Sequence, residues 1–477
     1  MTAPIIVVFQ PHSLRLHDNP ALYHAARAGA PVVPLFVLDD AAAGDSALGA
    51  AARWWLSQSL PRLSASLRHM GSDLVIRSGD LTDQVMAVAD TVGAGALHVP
   101  RAYDPAGRRG EDALHDAAQA RGLAVRRFGG HVLVEPEAVR TQKGDPYTVF
   151  SPFWRACRTL DAPGAPLPVP ETLPAPDRWP DSHPMARLDL DPKPVDWAGG
   201  LRESWNPGEA GAADRLRAFL DGPILTYKAD RNRPDLDGTS GLSPHLRFGE
   251  ISPRQLWHAA CGSADWAVVE PFLRELGWRD FSYHLLYHFP GLKHEPLKPV
   301  WRQFPWHEGV GDRLKAWQAG RTGYPLVDAG MRQLWHQGWM HNRVRMVVAS
   351  FLVKELLWHW RDGERWFWDT LVDADPGSNS ASWQWVAGCG ADAAPYFRIF
   401  NPVLQGEKFD PHGAYVRRWC PELADLPNAY VHKPFEAPKK VLETAGVRLG
   451  RDYPAPMVDR KTARARALEA FEAVKAP

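Results

Sequence analysis

Glu275, Trp278 and Arg279 stand at positions i, i+3 and i+4 of Phe272-Leu-Arg-Glu-Leu-Gly-Trp-Arg-Asp-Phe. That spacing puts a carboxylate, a flat ring and a guanidinium on one face of a helix, either as a binding surface or as an ion pair beside a packed ring. Upstream, Tyr227-Lys-Ala-Asp-Arg precedes Gly238-Thr-Ser-Gly-Leu-Ser-Pro-His-Leu-Arg-Phe-Gly, where small hydroxylated residues lead into Pro244, a residue able to open a helix. Hydroxyls and backbone N–H groups at a helix N-terminus form a natural phosphate site, and the same string also reads as an ordinary cap and turn. From Thr322 to Pro402 four further strings follow: Thr322-Gly-Tyr-Pro-Leu-Val-Asp-Ala-Gly, Gly338-Trp-Met-His-Asn-Arg-Val-Arg-Met, Asn379-Ser-Ala-Ser-Trp-Gln-Trp and Pro395-Tyr-Phe-Arg-Ile-Phe-Asn-Pro. Asn342 and Met346 lie one turn apart with Arg343 beside Asn342, a pattern that an amphipathic helix alone would also give. The chain carries 21 tryptophans. Indoles fill cores, but here they keep regular offsets from amides and arginines.

These residues need a scaffold, and the hydrophobic pattern supplies one. Ile5 to Phe9, Val32 to Leu38, Leu74 to Ile76, Ala96 to Val99 and Ala124 to Phe128 read as buried strands separated by amphipathic stretches such as Ala51 to Met70. The alternation predicts a parallel five-stranded α/β domain, Rossmann-like but without a G-x-G-x-x-G phosphate loop, over residues 1–130. Ten prolines between Asp161 and Gly200, a density that neither helix nor central strand could tolerate, mark a connector expected over residues 131–207. From 208 to 477 the period is helical, as in Pro325 to His336 and Arg343 to Trp360, and an all-α domain is expected. Lys plus Arg equals Asp plus Glu at 55 each, so any grip on a polyanion must come from a local basic groove. The four cysteines, Cys157, Cys261, Cys389 and Cys420, are too scattered for a zinc site or a disulfide framework. Neither a signal peptide nor a membrane-spanning run is expected, no metal is called for, and the cytoplasm is the expected location.

Together the motifs resemble the DNA photolyase and cryptochrome family over essentially the whole chain, most of all its bacterial cyclobutane pyrimidine dimer photolyases of class III or class I. The resemblance implies the photolyase/cryptochrome fold, an α/β domain followed by a larger FAD-binding helical domain. It implies a monomer that acts on UV-damaged DNA by light-driven electron transfer from reduced, anionic FAD to a flipped-out dimer. FAD is then expected against Tyr227, Thr239, Ser240, Gly241, Leu242, Ser243, Phe272, Arg279 and Arg345. Asp373 and Asp375 hold the ribityl chain and the ring edge, and Asn379 faces flavin N5. Glu275, expected to be buried, would hydrogen-bond the lesion, Trp278 would stack on it, and Asn342 and Met346 would lie against it. Arg343 would meet DNA phosphate, with Arg231, Trp385, Arg398 and Gln405 on the rim.

Trp383, Trp360 and Trp306 resemble the family's electron-transfer triad. Trp335, Trp339, Trp358, Trp366 and Trp368 are candidates for a branch and are more simply read as core. Asn379 differs from the aspartate usual in plant cryptochromes, which weighs against a photoreceptor without repair activity. Asn342 and Met346 replace the histidine pair of eukaryotic (6-4) photolyases and favour the cyclobutane lesion. The family's usual opening is reduced here to Leu14, Arg15, Asp18 and Asn19, which leaves antenna binding open. The class III phrases Gly-Tyr-Pro-Leu-Val-Asp-Ala-Gly-Met-Arg and Phe-Trp-Asp-Thr-Leu-Val-Asp-Ala-Asp make methenyltetrahydrofolate the candidate antenna, with no residues assigned.

Overall fold

The structure is a computed structural model that describes residues 2–393, 395–396 and 398–475. Phe397 of the Pro395 to Pro402 string lies outside the described residues. The chain forms two compact units, one of Met1–Leu225, Ser240–Pro290 and Val372–Gly377, the other of Thr226–Thr239, Gly291–Leu371 and Ser378–Pro477.

In the first unit the five apolar runs form one parallel sheet: β1 (Ile5–Phe9), β2 (Val32–Leu38), β3 (Val75–Ser78), β4 (Ala96–Pro100) and β5 (Ala124–Phe128), ordered β3-β2-β1-β4-β5. Ile5 sits opposite Val32 on one side and Ala96 on the other. Successive side chains of β1 alternate faces. Ile6 and Val8 pack with Val33, Leu35 and Leu97 under Val85, Met86, Val88 and Ala89 of helix Leu81–Val92 and under Leu114 and Ala118 of helix Pro105–Ala120. Strand order reverses between β1 and β4, and their carboxyl ends border a crevice lined by His12, Asn19, Arg101, Phe128, Gly130 and His131, the usual place for a ligand in such a sheet.

Arg15 and Asp18, which survive from the family's opening, are fully committed to holding this unit together. Buried Arg15 donates to the carbonyls of Asp18, Gly130 and Gly249 at 2.9 to 3.1 Å. Asp18, left-handed at φ 56°, accepts from Ser252 Oγ at 2.5 Å, Arg254 Nε at 3.0 Å and Leu167 N at 2.9 Å. Asn19 caps helix Pro20–Ala26 through Leu22 N at 3.1 Å.

Among the described residues the second unit holds helices and two isolated bridges, with no strand. The Thr322 to Gly330 string is architectural. Buried Asp328 accepts from Thr322 N at 2.7 Å, Thr322 Oγ1 at 2.6 Å, Gly323 N at 3.0 Å and Tyr453 Oη at 2.6 Å. Gly330 brings helix Pro325–Gln337 so near Val344 that a Cβ would lie 2.5 Å from its methyl. The expected continuous helix from Arg343 to Trp360 is corrected. Helix Asn342–Ser350 passes into a π-turn at Phe351–Glu355, and Leu357, at φ 55°, breaks the chain before helix Trp360–Thr370 starts. Apolar periodicity runs across this break because both sides are buried, so pattern alone could not locate it. His341 and His359 cap the helices that follow them, accepting from Arg343 N at 3.2 Å and Arg361 N at 3.1 Å.

Candidate functional site

The first unit carries the string from Ser240 to Ser243 and the helix Trp266–His288. Gly241 is left-handed at φ 62°, as the turn requires. Ser240 Oγ accepts from Leu242 N at 3.3 Å, and Ser243 is exposed at the head of the five-residue helix Ser243–Arg247. The helix dipole is correspondingly short, so hydroxyls and turn N–H groups are what an anion would meet. On the long helix Phe272 is buried against Phe219, and Glu275 is half-buried rather than buried as expected. The half-buried Trp278 ring stacks on Phe150 at 3.7 Å and 10° and meets Phe281 in a T-shaped contact at 5.8 Å.

Arg279 turns to a partner that local sequence did not reveal. Its Nη1 donates to His131 O at 2.6 Å, and its Nη2 lies 2.7 Å from His131 Nε2. His131 Nε2 is also 2.7 Å from Tyr283 Oη, which donates to Asp375 Oδ2 at 2.5 Å. Arg247 Nε donates to Ala374 O at 2.6 Å, so Tyr283 and Arg247 fix the segment that bears Asp373 and Asp375, both buried. Burial and the Arg279 charge drive His131 well below its ordinary value, and burial and Asp375 drive Tyr283 well above its own. Both rings stay neutral at neutral pH, and the network persists. Next to Arg279, burial pushes Asp280 up to about 7 against the opposing Arg279 charge and the N–H groups of Val134 and Leu133.

In the second unit, helix Pro376–Ala387 carries Asn379, Trp383 and Trp385. Asn379 Nδ2 donates to the main-chain oxygen of Glu364 at 3.0 Å and to its Oε1 at 2.9 Å, and Ser380 Oγ reaches the same Oε1 at 3.3 Å. With both amide protons used, Oδ1 is the atom Asn379 presents, and its natural partner is a hydrogen-bond donor. Glu364 is buried, which raises its carboxyl, while Lys293 opposes the shift. Buried Trp383 packs edge-on to Phe367 at 5.0 Å, and a Cβ on Gly363 would collide with its indole. Gln384 is structural, bonding the carbonyls of Leu292 and Glu295 and the N–H of Leu297 at 2.6 to 2.9 Å. Trp360 is buried, and Trp306 and Trp385 are half-buried.

The same unit gathers arginines. Arg343 donates to Asn232 Oδ1 at 2.7 and 3.2 Å and lies 4.6 Å over Phe409, while Arg231 lies 5.4 Å over buried Tyr227. Burial and then the Arg231 charge lower Arg343, a repulsion that a bound phosphate would relieve. Arg345 donates to Met340 O at 2.6 Å. Asn342 is exposed, Met346 and Thr239 half-buried, and Arg398 exposed. Gln405 Oε1 is a buried acceptor that none of the described residues satisfies. Sequence reasoning missed His131, Tyr283, Glu364 and His359, and no local pattern marks them.

Residues 5–175 fit the profile described as DNA photolyase, and residues 272–473 fit that of the FAD binding domain of DNA photolyase. The chain is 50% identical to a deoxyribodipyrimidine photo-lyase of Agrobacterium fabrum, over 99% of this chain and 98% of that protein. It is 40% identical to Cryptochrome-1 of Arabidopsis thaliana, over 98% of this chain and 70% of the relative. The crystal structure of a bacterial class III photolyase from Agrobacterium tumefaciens superposes with a TM-score of 0.96 at 50% identity, covering 100% of this chain and 98% of that one.

Proposed function

Because the chain belongs to the DNA photolyase and cryptochrome family, we propose that it works as a deoxyribodipyrimidine photo-lyase, repairing cyclobutane pyrimidine dimers in UV-damaged DNA. Bound FAD, reduced and anionic, supplies light absorption and the electron that opens the dimer; everything else falls to the protein. Asp373 and Asp375 are the residues to hold the cofactor, with Tyr227, Thr239 to Ser243, Phe272, Arg279 and Arg345 around it. The residues suit such a group by their own chemistry: Asp373 and Asp375 are buried carboxylates, Asp375 fixed by Tyr283, and Asn379 leaves its Oδ1 to accept a hydrogen bond. That orientation is the observation that carries repair over light sensing, since the amide cannot deliver a proton and suits a reduced ring.

Glu275 holds the lesion carbonyl by a hydrogen bond that strengthens as negative charge arrives. Trp278 stacks against the flipped bases, Asn342 and Met346 support them, and Trp385, Arg398 and Gln405 border the pocket. Arg231 and Arg343 grip phosphate. Photolyases are a known instance of base flipping, and because a damaged pair costs least to unstack, the flip itself favours the lesion. Trp383, Trp360 and Trp306 return the cofactor to its reduced state. No helix among the described residues is long and apolar enough to cross a membrane, and we place the protein as a monomer in the cytoplasm with DNA. Methenyltetrahydrofolate is our candidate antenna on the α/β domain of residues 1–130, assigned to no residues. Arg15 and Arg101 in the sheet crevice are committed to backbone oxygens and to Glu135 and Glu137.

The test is illumination of the reduced protein with oligonucleotides carrying a defined thymine cyclobutane dimer or (6-4) product, followed by chromatography. Restored thymines are expected from the first alone. A (6-4) product also needs a proton shuttle, for which Asn342 and Met346 are unsuited; thymines recovered from it would overturn the lesion assignment.

A further inference from the structure

Trp306 and Trp360 both touch one imidazole. The His359 ring centre lies 5.7 Å from Trp306, with 64° between planes, and 5.6 Å from Trp360, with 30° between planes. Its position is fixed by the backbone. The His359 N–H donates to His307 O at 2.8 Å and the His307 N–H donates to Leu357 O at 2.8 Å, within the parallel bridge His307↔Trp358. The residue next to Trp306 is thereby tied to the residues before Trp360. The ring itself caps helix Trp360–Thr370, its Nδ1 accepting from Arg361 N at 3.1 Å. An accepting Nδ1 leaves the proton of the neutral ring on Nε2, which lies 3.9 Å from Glu308 Oε1.

We infer that His359 is a positioning residue of the electron path, its imidazole bridging Trp360 and Trp306 and coupling the outer step. This rests on the reading of those two tryptophans as carriers. In the step, one electron leaves Trp306, crosses the imidazole and returns an oxidised Trp360 to neutrality. Trp306 is left oxidised by one electron, His359 ends unchanged, and no proton moves. Trp360 lost its electron to Trp383, which the light-excited oxidised flavin had oxidised; a thiol in solution restores Trp306. A positive ring at this place would oppose the hole beside it. Burial pushes His359 down to about 4, with Glu308 opposing and Arg361 and Arg365 adding. Glu308, Arg361 and Arg365 are the charged groups that act on it, and near neutral pH the bridge carries no charge.

Two substitutions separate bridge from cap. His359→Asn keeps an N-cap acceptor and removes the ring, whereas His359→Phe keeps a ring and removes the cap, which should lower Tm by about 1–2 °C. Flash absorption of the flavin-loaded protein reads the yield of long-lived oxidised tryptophan, and thermal melts are run alongside. The bridge requires a several-fold lower yield in His359→Asn than in His359→Phe. A yield in His359→Asn equal to or above that in His359→Phe overturns it. Trp306→Phe is the control for the underlying reading. If it leaves the yield unchanged, the path itself is wrong; if it abolishes the yield while His359→Asn stays equal to or above His359→Phe, only the role of His359 fails.

Discussion

Replacing Glu364 by leucine asks whether the orientation of Asn379 matters. In the native protein the amide is held by two acceptors on the same residue, Glu364 O at 3.0 Å and Oε1 at 2.9 Å. Leucine keeps the backbone oxygen and deletes the carboxylate. A hydrogen bond to a charged group contributes about 1.5–3 kcal/mol, so the preference for the native rotamer falls by roughly that amount and the flipped amide becomes populated. In the flipped state Nδ2 replaces Oδ1 opposite the ligand. A reduced flavin, which presents an N–H, loses its acceptor there, while the oxidised ring does not. If the whole difference reaches the cofactor, the two-electron midpoint potential drops by about 30–60 mV, since about 30 mV corresponds to 1.4 kcal/mol for two electrons. Spectroelectrochemical titration of purified Glu364→Leu reads the shift, with circular dichroism and a thermal melt to verify folding. An unchanged potential in a folded variant would refute the reasoning, because Asn379 would then keep its orientation without the carboxylate.

Trp383→Phe should stop photoreduction of oxidised FAD under blue light with an external thiol, while chemically reduced protein still repairs dimers; flavin absorbance during illumination decides. Glu275→Ala should lower the repair yield per photon far more than it weakens binding of dimer-containing DNA, and a loss confined to the dissociation constant would reduce Glu275 to a docking contact. Tyr283→Phe removes the 2.5 Å donor to Asp375, worth about 1.5–3 kcal/mol, so FAD should be released roughly tenfold or more readily, as measured by flavin fluorescence on dilution. Asp280, raised from its ordinary 3.8 to about 7, favours the fold most when protonated. Its contribution is complete below the unfolded value and is lost as pH rises through about 7. Asp280→Asn should therefore flatten the decline in Tm between about pH 4 and 7, and an identical slope in the variant would exclude this carboxyl as its source.

Local pattern was enough for much of this protein. The five strands were legible because short apolar runs occur between amphipathic helices, buried in β1, β2 and β4 but largely exposed, contrary to expectation, in the edge strand β5, and period-2 and period-3.6 signals are written into neighbouring residues. The same arithmetic placed Glu275, Trp278 and Arg279 on one helix face and Asn379 one turn from Trp383. The chain could not announce what those side chains would touch. Arg279 is paired with His131, Tyr283 with Asp375, and Arg247 with Ala374, contacts that join residues 92 to 148 positions apart. Such pairings arise when separate helices and loops pack, and no periodicity encodes them. The break at Leu357 was hidden for a related reason, since residues buried on both sides of a turn keep the apolar rhythm of one helix. Tertiary packing also decided roles. It made Asp328 and Gln384 architectural despite their place in the densest motifs, turned the Asn379 amide by its bonds to Glu364, and set the His359 imidazole between two indoles, where the residue type alone had given no reason to look.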